Sequence, residues 1–172
     1  MYKIAVTGPE STGKTSLSNE LGEILQLPVR EEIARTYLSQ IGLAYSQIHV
    51  EEIATLQCKM DKELLLSNQS YIADTEMMVI YLWMKIRYQS VPEWIVQLYE
   101  NQLFDLYLLC DIDIVWEKDN LREHAHLRLE IFNLMKEELQ RLERKYFIIS
   151  GLGDLRTHRA LESIKDGLGI VS

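Results

Sequence analysis

Cysteine is almost missing from this chain. Its two copies, Cys58 and Cys110, lie far apart and form no C-x-x-C pair. A disulfide framework or a thiolate metal site is therefore not expected. Cys58 falls in a helical pattern and Cys110 at the end of an apolar strand, where thiols serve as small core hydrophobes. Basic charge is also short: 18 Lys and Arg stand against 26 Asp and Glu, a formal net charge of −8. An acidic chain lacks the phosphate-neutralising surface on which general nucleic-acid binding depends, so no nucleic-acid partner is expected. No apolar run approaches membrane-spanning length, so no membrane association is expected either. Repeats, low-complexity tracts and linkers are absent. The first strand begins at once, which leaves no room for a signal peptide and makes the cytoplasm the expected location. What is there is ordinary for a globular protein: 172 residues, 47% hydrophobic and 26% charged. One domain over residues 1–172 is the expectation.

The strongest local signal is Gly8-Pro9-Glu10-Ser11-Thr12-Gly13-Lys14-Thr15. It fits G-x-x-x-x-G-K-[ST], the phosphate loop of nucleotide-binding proteins. Tyr2 to Thr7 before it is short and β-prone. After it, Leu17, Leu21, Ile24 and Leu25 recur at helical spacing. Strand, glycine turn and helix form the setting the motif needs. Gly8 and Gly13 permit backbone angles and close approach that a side chain would block. The loop amides and helix N-terminus face anionic oxygens, so Gly8, Glu10, Ser11, Thr12, Gly13, Lys14, Thr15 and Ser16 are the expected nucleotide-binding residues. Lys14 is expected to reach the β- and γ-phosphates of ATP, and Thr15 to offer its hydroxyl to Mg²⁺.

Further along, Leu27 to Arg30 reads as a second strand, followed by Glu31-Glu32-Ile33-Ala34-Arg35 at the start of a helix. Acids favour a helix N-terminus. Beside a phosphate loop, carboxylates at a strand's carboxyl end also suit a substrate site. Gly42 breaks this helix. Ser46 is the expected cap of the next, which runs to about Ser67 with Ile53, Leu56, Met60 and Leu64 as its buried stripe. His49, in its first turn, reads as a solvated or capping side chain. Tyr71 to Asp74 is a strand ending in a carboxylate, the pattern of a Walker B strand whose Asp lies near the phosphate-loop Mg²⁺. Met77 to Tyr88 is apolar nearly all round and reads as a buried helix. Within it Trp83 is read chiefly as core, with stacking on a base or nicotinamide ring as the alternative.

Pro92 starts a short helix, and Leu103 to Cys110 reads as a buried fourth strand. The polar stretch from about 112 to 128 carries Arg122 and Arg128. It is either a surface loop or a kinase lid, for which arginine's planar, always-charged fork is suited. His124 and His126, at i and i+2, share no helix face and do not make a metal site. A helix to about Lys145 is expected to bury Leu127, Ile131, Leu134 and Leu142. A fifth strand, Tyr146 to Ile149, leads to Gly151 and Gly153. Asp154 is the expected cap of a last helix ending near Gly167. Five strands alternating with helices predict an α/β P-loop fold: a five-stranded parallel sheet, order 2-3-1-4-5, with helices on both faces.

Taken together, these stretches resemble the P-loop ribosylnicotinamide kinase domain of bacterial NAD-biosynthesis regulators of the NadR type. The resemblance covers nearly the whole chain. It rests on G-P-E-S-T-G-K-T at Gly8–Thr15, on Glu32-Ile33-Ala34-Arg35 as E-x-[GA]-R and on Asp74-Thr75-Glu76 as D-T-[DE]. Trp116 to Arg122 fits W-x-x-D-x-L-R, and Arg128 corresponds to a second lid arginine. The DNA-binding and adenylyltransferase regions of those regulators have no counterpart here, so a stand-alone kinase is expected. The resemblance implies transfer of the ATP γ-phosphate to the 5′-hydroxyl of nicotinamide riboside, giving nicotinamide mononucleotide. It implies catalytic roles for Lys14, Glu32, Asp74, Arg122 and Arg128. Substrate contacts fall to Glu32, Arg35 and Asp74, and Mg²⁺ to Thr15 and Asp74. Either Glu32 or Asp74 accepts the hydroxyl proton. The alternatives are a regulatory ATP-binding or ATPase module, and a kinase for another nucleoside or small alcohol. The apolar region around Trp83 and Trp94 is a candidate contact for a homo-oligomer.

Overall fold

The computed structural model describes residues 1–42, 44–116 and 127–169. Its frame is one parallel sheet in the order β2-β3-β1-β4-β5. The strands are β1 (Lys3–Thr7), β2 (Val29–Arg30), β3 (Tyr71–Asp74), β4 (Leu106–Cys110) and β5 (Tyr146–Ile149). The register pairs Val6 of β1 with Asp74 of β3 and with Leu108 of β4. The carboxyl ends of the three middle strands therefore open on one edge, where ligands of such sheets bind. The expected order is the observed one. The fourth strand begins at Leu106 rather than Leu103.

The helices are α1 (Lys14–Leu25), α2 (Ile33–Ile41), α3 (Gln47–Leu66), α4 (Met77–Tyr88), α5 (Glu93–Asn101), α6 (Arg128–Arg141) and α7 (Asp154–Leu168). Side chains of the strands alternate between two cores. Ile4, Val6, Ile72, Leu106 and Leu108 pack under α1 and α7, with Leu17, Leu21, Ala160 and Ile164. Ala5, Ala73, Tyr107 and Leu109 face the other side, packing with residues of α2 to α6 that include Ile53, Met77, Met84, Ile95 and Met135. Both faces of the sheet are thus covered, which is why its strands read as unbroken apolar runs. No helix among the described residues is long and apolar enough to cross a membrane.

Several helix faces differ from their apolar pattern. In α3 the buried residues are Val50, Ile53, Ala54, Gln57 and Asp61. Leu56 and Met60 of the expected stripe are exposed. The buried face carries Asp61, which pairs with the buried Arg30 at 2.7 Å. In α1, Ser18 and Gly22 are buried while Ile24 is exposed. α6 stops at Arg141, and Phe132, Met135 and Leu139 form its deepest row, with Ile131, Leu134 and Leu142 at its margin. Asp154 is the first residue of α7 rather than its cap, which is Gly153. The same helix continues past Gly167, whose missing side chain admits Leu106, and ends at Gly169 in the left-handed conformation. Ser46 does cap α3, and its N–H donates to His49 Nδ1 at 2.9 Å.

Candidate functional site

The phosphate loop joins β1 to α1. Gly8 has φ 145°, and a Cβ there would lie 2.9 Å from the Cys110 carbonyl on the neighbouring strand. Gly13, with φ 74°, caps α1 in the left-handed region that only glycine enters freely. The Thr12 hydroxyl and Lys14 Nζ both donate to the Pro9 carbonyl at 2.8 Å. Two arginines hold the loop from outside. Arg128 Nη2 donates to the carbonyls of Ser11 at 3.1 Å and Ile114 at 3.0 Å. Arg156, 4% exposed, donates from Nη1 to the Thr12 carbonyl at 3.0 Å and from Nε to the Gly151 carbonyl at 2.7 Å. Arg156 also pairs with Asp113.

One cavity begins at the loop. Gly8, Glu10, Ser11, Thr12, Gly13, Lys14, Thr15 and Ser16 line it together with Glu32 and Arg35. Its far wall is apolar and aromatic: Leu38, Tyr45, Val79, Ile80, Trp83, Ile131 and Met135. Glu32 is the cap residue of α2 but makes no capping bond. Glu32 is also among the residues that line the cavity. Burial pushes the Glu32 carboxyl above its ordinary range; Lys14 opposes this and Asp74 adds to it.

Asp74 lies behind the cavity at the end of β3 and is 1% exposed. Neither of its oxygens has a partner in full hydrogen-bond geometry. Burial raises its pKa, opposed first by the Thr15 hydroxyl and then by Lys14. A buried carboxylate with unsatisfied oxygens beside a hydroxyl is a donor set that suits a hard cation, and Mg²⁺ takes only one or two protein ligands when phosphates and waters supply the rest. The residues present therefore fit the metal. Among the described residues no group of three or more His, Cys, Asp or Glu stands ready to hold a metal without phosphates.

The expected residues thus converge, with one exception. Arg122, with His124, His126 and most of the stretch read as a lid, lies outside the described residues. Arg128, the other lid arginine, is placed at the start of α6 against Ser11.

Sequence reading missed three side chains. Gln57 lines the cavity, is 2% exposed and has an amide nitrogen with no partner. Its signal was a glutamine on the buried side of α3, hidden by the misread stripe. Tyr45 accepts the indole N–H of Trp83 at 3.2 Å, with the two rings edge to face 5.1 Å apart. Trp83 therefore serves both the core and the cavity wall. Arg30, the last residue of β2, is buried beneath the ends of β2 and β3. Glu76, the third residue of Asp74-Thr75-Glu76, is structural: it accepts from the Met78 N–H at 2.6 Å and the Thr7 hydroxyl at 2.9 Å.

Comparison with known proteins bears on the family and the fold. Residues 3–156 match the AAA domain family. The trifunctional NAD biosynthesis/regulator protein NadR of Escherichia coli (strain K12) is 27% identical over 96% of this chain and 42% of its own. The chain therefore spans less than half the length of that relative. A crystal structure of NadR protein in complex with NR superposes with a TM-score of 0.79 at 22% identity, covering 99% of this chain and 52% of that one. Deoxyadenosine kinase from M. mycoides, with products dCMP and dCDP bound, has a TM-score of 0.69 at 16% identity, over 95% of this chain and 99% of that one. The fold is that of the P-loop nucleoside kinases. Because the match runs from the first strand into the last helix and takes in the whole phosphate loop, the chain belongs to the AAA domain family.

Proposed function

We propose that this chain is an ATP-dependent small-molecule kinase that phosphorylates the 5′-hydroxyl of nicotinamide riboside to give nicotinamide mononucleotide. The observation that carries the reading is the single cavity with a phosphate loop at one end and an aromatic chamber at the other, with Glu32 between them. A phosphate site alone would serve an ATPase. An apolar, aromatic chamber beside it suits an acceptor with a flat ring. Trp83 in the lining offers an aromatic ring of the kind that attracts a pyridinium, and Glu10 and Glu32 share the lining with Lys14 and Arg35.

Phosphoryl transfer requires positioning and charge neutralisation more than covalent chemistry. The Gly8–Thr15 amides and Lys14 hold the phosphates. Thr15 and Asp74 are the residues that would hold Mg²⁺, which neutralises charge on the phosphate oxygens. Glu32, which reaches the cavity where Asp74 does not, orients the acceptor hydroxyl and takes its proton. Arg35 steadies the Glu32 carboxylate. Arg128 holds the loop through Ser11, and Arg122 is the lid residue that the family resemblance assigns to the transferring group.

The test is ADP release from Mg-ATP in the presence of a panel of ribosides. Release that depends on nicotinamide riboside, and its loss in Lys14→Ala, is the expected result. Release independent of every acceptor would point to an ATPase module. A nucleoside acceptor is the second reading, favoured by Gln57: a nucleobase carbonyl would satisfy its amide as well as a carboxamide does.

A further inference from the structure

Arg30 occupies an unusual place for an arginine. It ends a two-residue edge strand and is 1% exposed. Its Nε donates to Asp61 Oδ1 of α3 at 2.7 Å. Nη2 donates to the Thr75 carbonyl at 2.5 Å. Nη1 lies 3.3 Å from the Glu31 carbonyl and 3.4 Å from the Asp74 carbonyl. The second Asp61 oxygen accepts from Gln102 Nε2 at 2.8 Å, and Gln102 Oε1 accepts from the Met77 N–H at 3.0 Å. One guanidinium thus ties the backbone after β2 to the backbone after β3, and Asp61 and Gln102 fix it in turn.

That connection bears on the site. β2 pairs with β3 only through Val29 with Ile72 and Arg30 with Ala73. Past Arg30 the ladder no longer holds the two strands together: Asp74 stays paired with Val6 of β1, but Glu32, two residues past Arg30, lies beyond the paired residues of β2. We infer that Arg30, anchored by Asp61, is a positioning residue that sets the placement of the Glu32 and Asp74 carboxylates relative to each other. A guanidinium suits the task because its rigid fork bonds several oxygens at once, whereas a lysine makes a single point of charge. The inference rests on the kinase reading for what the two carboxylates do, though the placement itself does not.

The alternative is that the pair serves folding alone. The two are separated by replacing both partners, since apolar residues of similar size commonly substitute for a buried ion pair without loss of stability. In Arg30→Met/Asp61→Leu the fold is retained, as followed by thermal unfolding, but the carbonyl ties are gone. The expected result is a kcat about tenfold to a hundredfold lower, with KM for ATP within about threefold, the range for residues that orient ligating groups. Manganese bound together with ADP, followed by electron paramagnetic resonance, gives a readout that needs no acceptor. Its affinity is expected to fall about tenfold as Asp74 loses its placement. Arg30→Lys, which keeps the charge beside Asp61 but not the fork to the carbonyls, is expected to stay folded and to lose kcat likewise. A double variant with wild-type kcat, or with wild-type manganese affinity, overturns the inference. A wild-type protein that releases no ADP with any riboside marks failure of the kinase reading instead, and the manganese readout then decides the positioning claim by itself.

Discussion

Arg156 donates to the Thr12 carbonyl at 3.0 Å and so joins the first turn of the last helix to the phosphate loop, across most of the chain. The same guanidinium reaches the Gly151 carbonyl and Asp113. The loop after β5 and the loop after β4 are therefore fixed to the phosphate loop by one side chain. Arg156→Ala removes these bonds and leaves the Thr12 carbonyl without this donor, while the exposed Asp113 keeps only the Gly151 N–H. We expect a loss of about 1–3 kcal/mol in urea unfolding and weaker ATP binding, measured by titration on the folded variant. Wild-type ATP affinity in that variant would contradict a loop-holding role.

Glu32 is expected to set the pH response of the proposed transfer. Burial, with Asp74 in support, holds its carboxyl above the usual 4.5, against Lys14 and Arg35. A base acts only when ionised. Activity is therefore lost as pH falls through the raised value, and the acid limb of kcat lies above that of an ordinary glutamate. Arg35→Ala removes an opposing charge and moves that limb higher still. Glu32→Gln is expected to lower kcat by about a hundredfold or more, with ATP affinity retained. An acid limb that persists unchanged in Glu32→Gln would assign the base to another group.

Gln57 is expected to act on the acceptor and not on ATP. Its amide nitrogen is buried without a partner, and an acceptor oxygen would satisfy it. Gln57→Leu is isosteric enough to preserve packing. It should raise KM for the riboside by about tenfold, the worth of one buried hydrogen bond, and leave KM for ATP alone. Equal changes in both constants would place Gln57 in the scaffold instead.

Glu76 offers a test of stability rather than activity. It is 1% exposed, and burial pushes its pKa up to about 7 in spite of the bonds from Met78 and Thr7. Unfolded, it returns towards 4.5. Between these values the folded chain holds more of the proton, so stability falls as pH rises through that window and is level above it. The full loss is on the order of 3 kcal/mol. Glu76→Gln keeps an acceptor for the Met78 N–H and cannot ionise. Its stability, from urea melts at pH 5 and pH 8, should lack this decline. The same decline in both proteins would locate the titration elsewhere.

The two buried arginines mark the boundary of what was legible in the chain. Gly8–Thr15 could be read because eight consecutive residues set their own backbone, and the flanking apolar runs named the strand and helix around them. Glu32 and Asp74 were legible as strand-end carboxylates, since the sheet order follows from the alternation of elements. Arg30 was not, because an arginine in isolation reads as a solvated surface group, and Arg156 was legible only as a candidate neighbour of adenine, not as the holder of the phosphate loop. Their partners lie in other elements: Asp61 for Arg30, and Thr12 and Asp113 for Arg156. Asp61 and Gln57 share the buried face of α3, while Leu56 and Met60 are exposed.

The sequence by itself determined the phosphate loop, the five-stranded parallel order and the two carboxylates at the strand ends. Each of these follows from short-range spacing and from the handedness of strand-to-strand crossovers. Tertiary structure alone decided which polar side chains are buried together and which face of α3 lines the cavity. It also decided that Trp83 and Tyr45 close its far wall. Those outcomes depend on desolvating charges in pairs, and a charge's partner is set by the packing of distant elements, not by its neighbours in the chain.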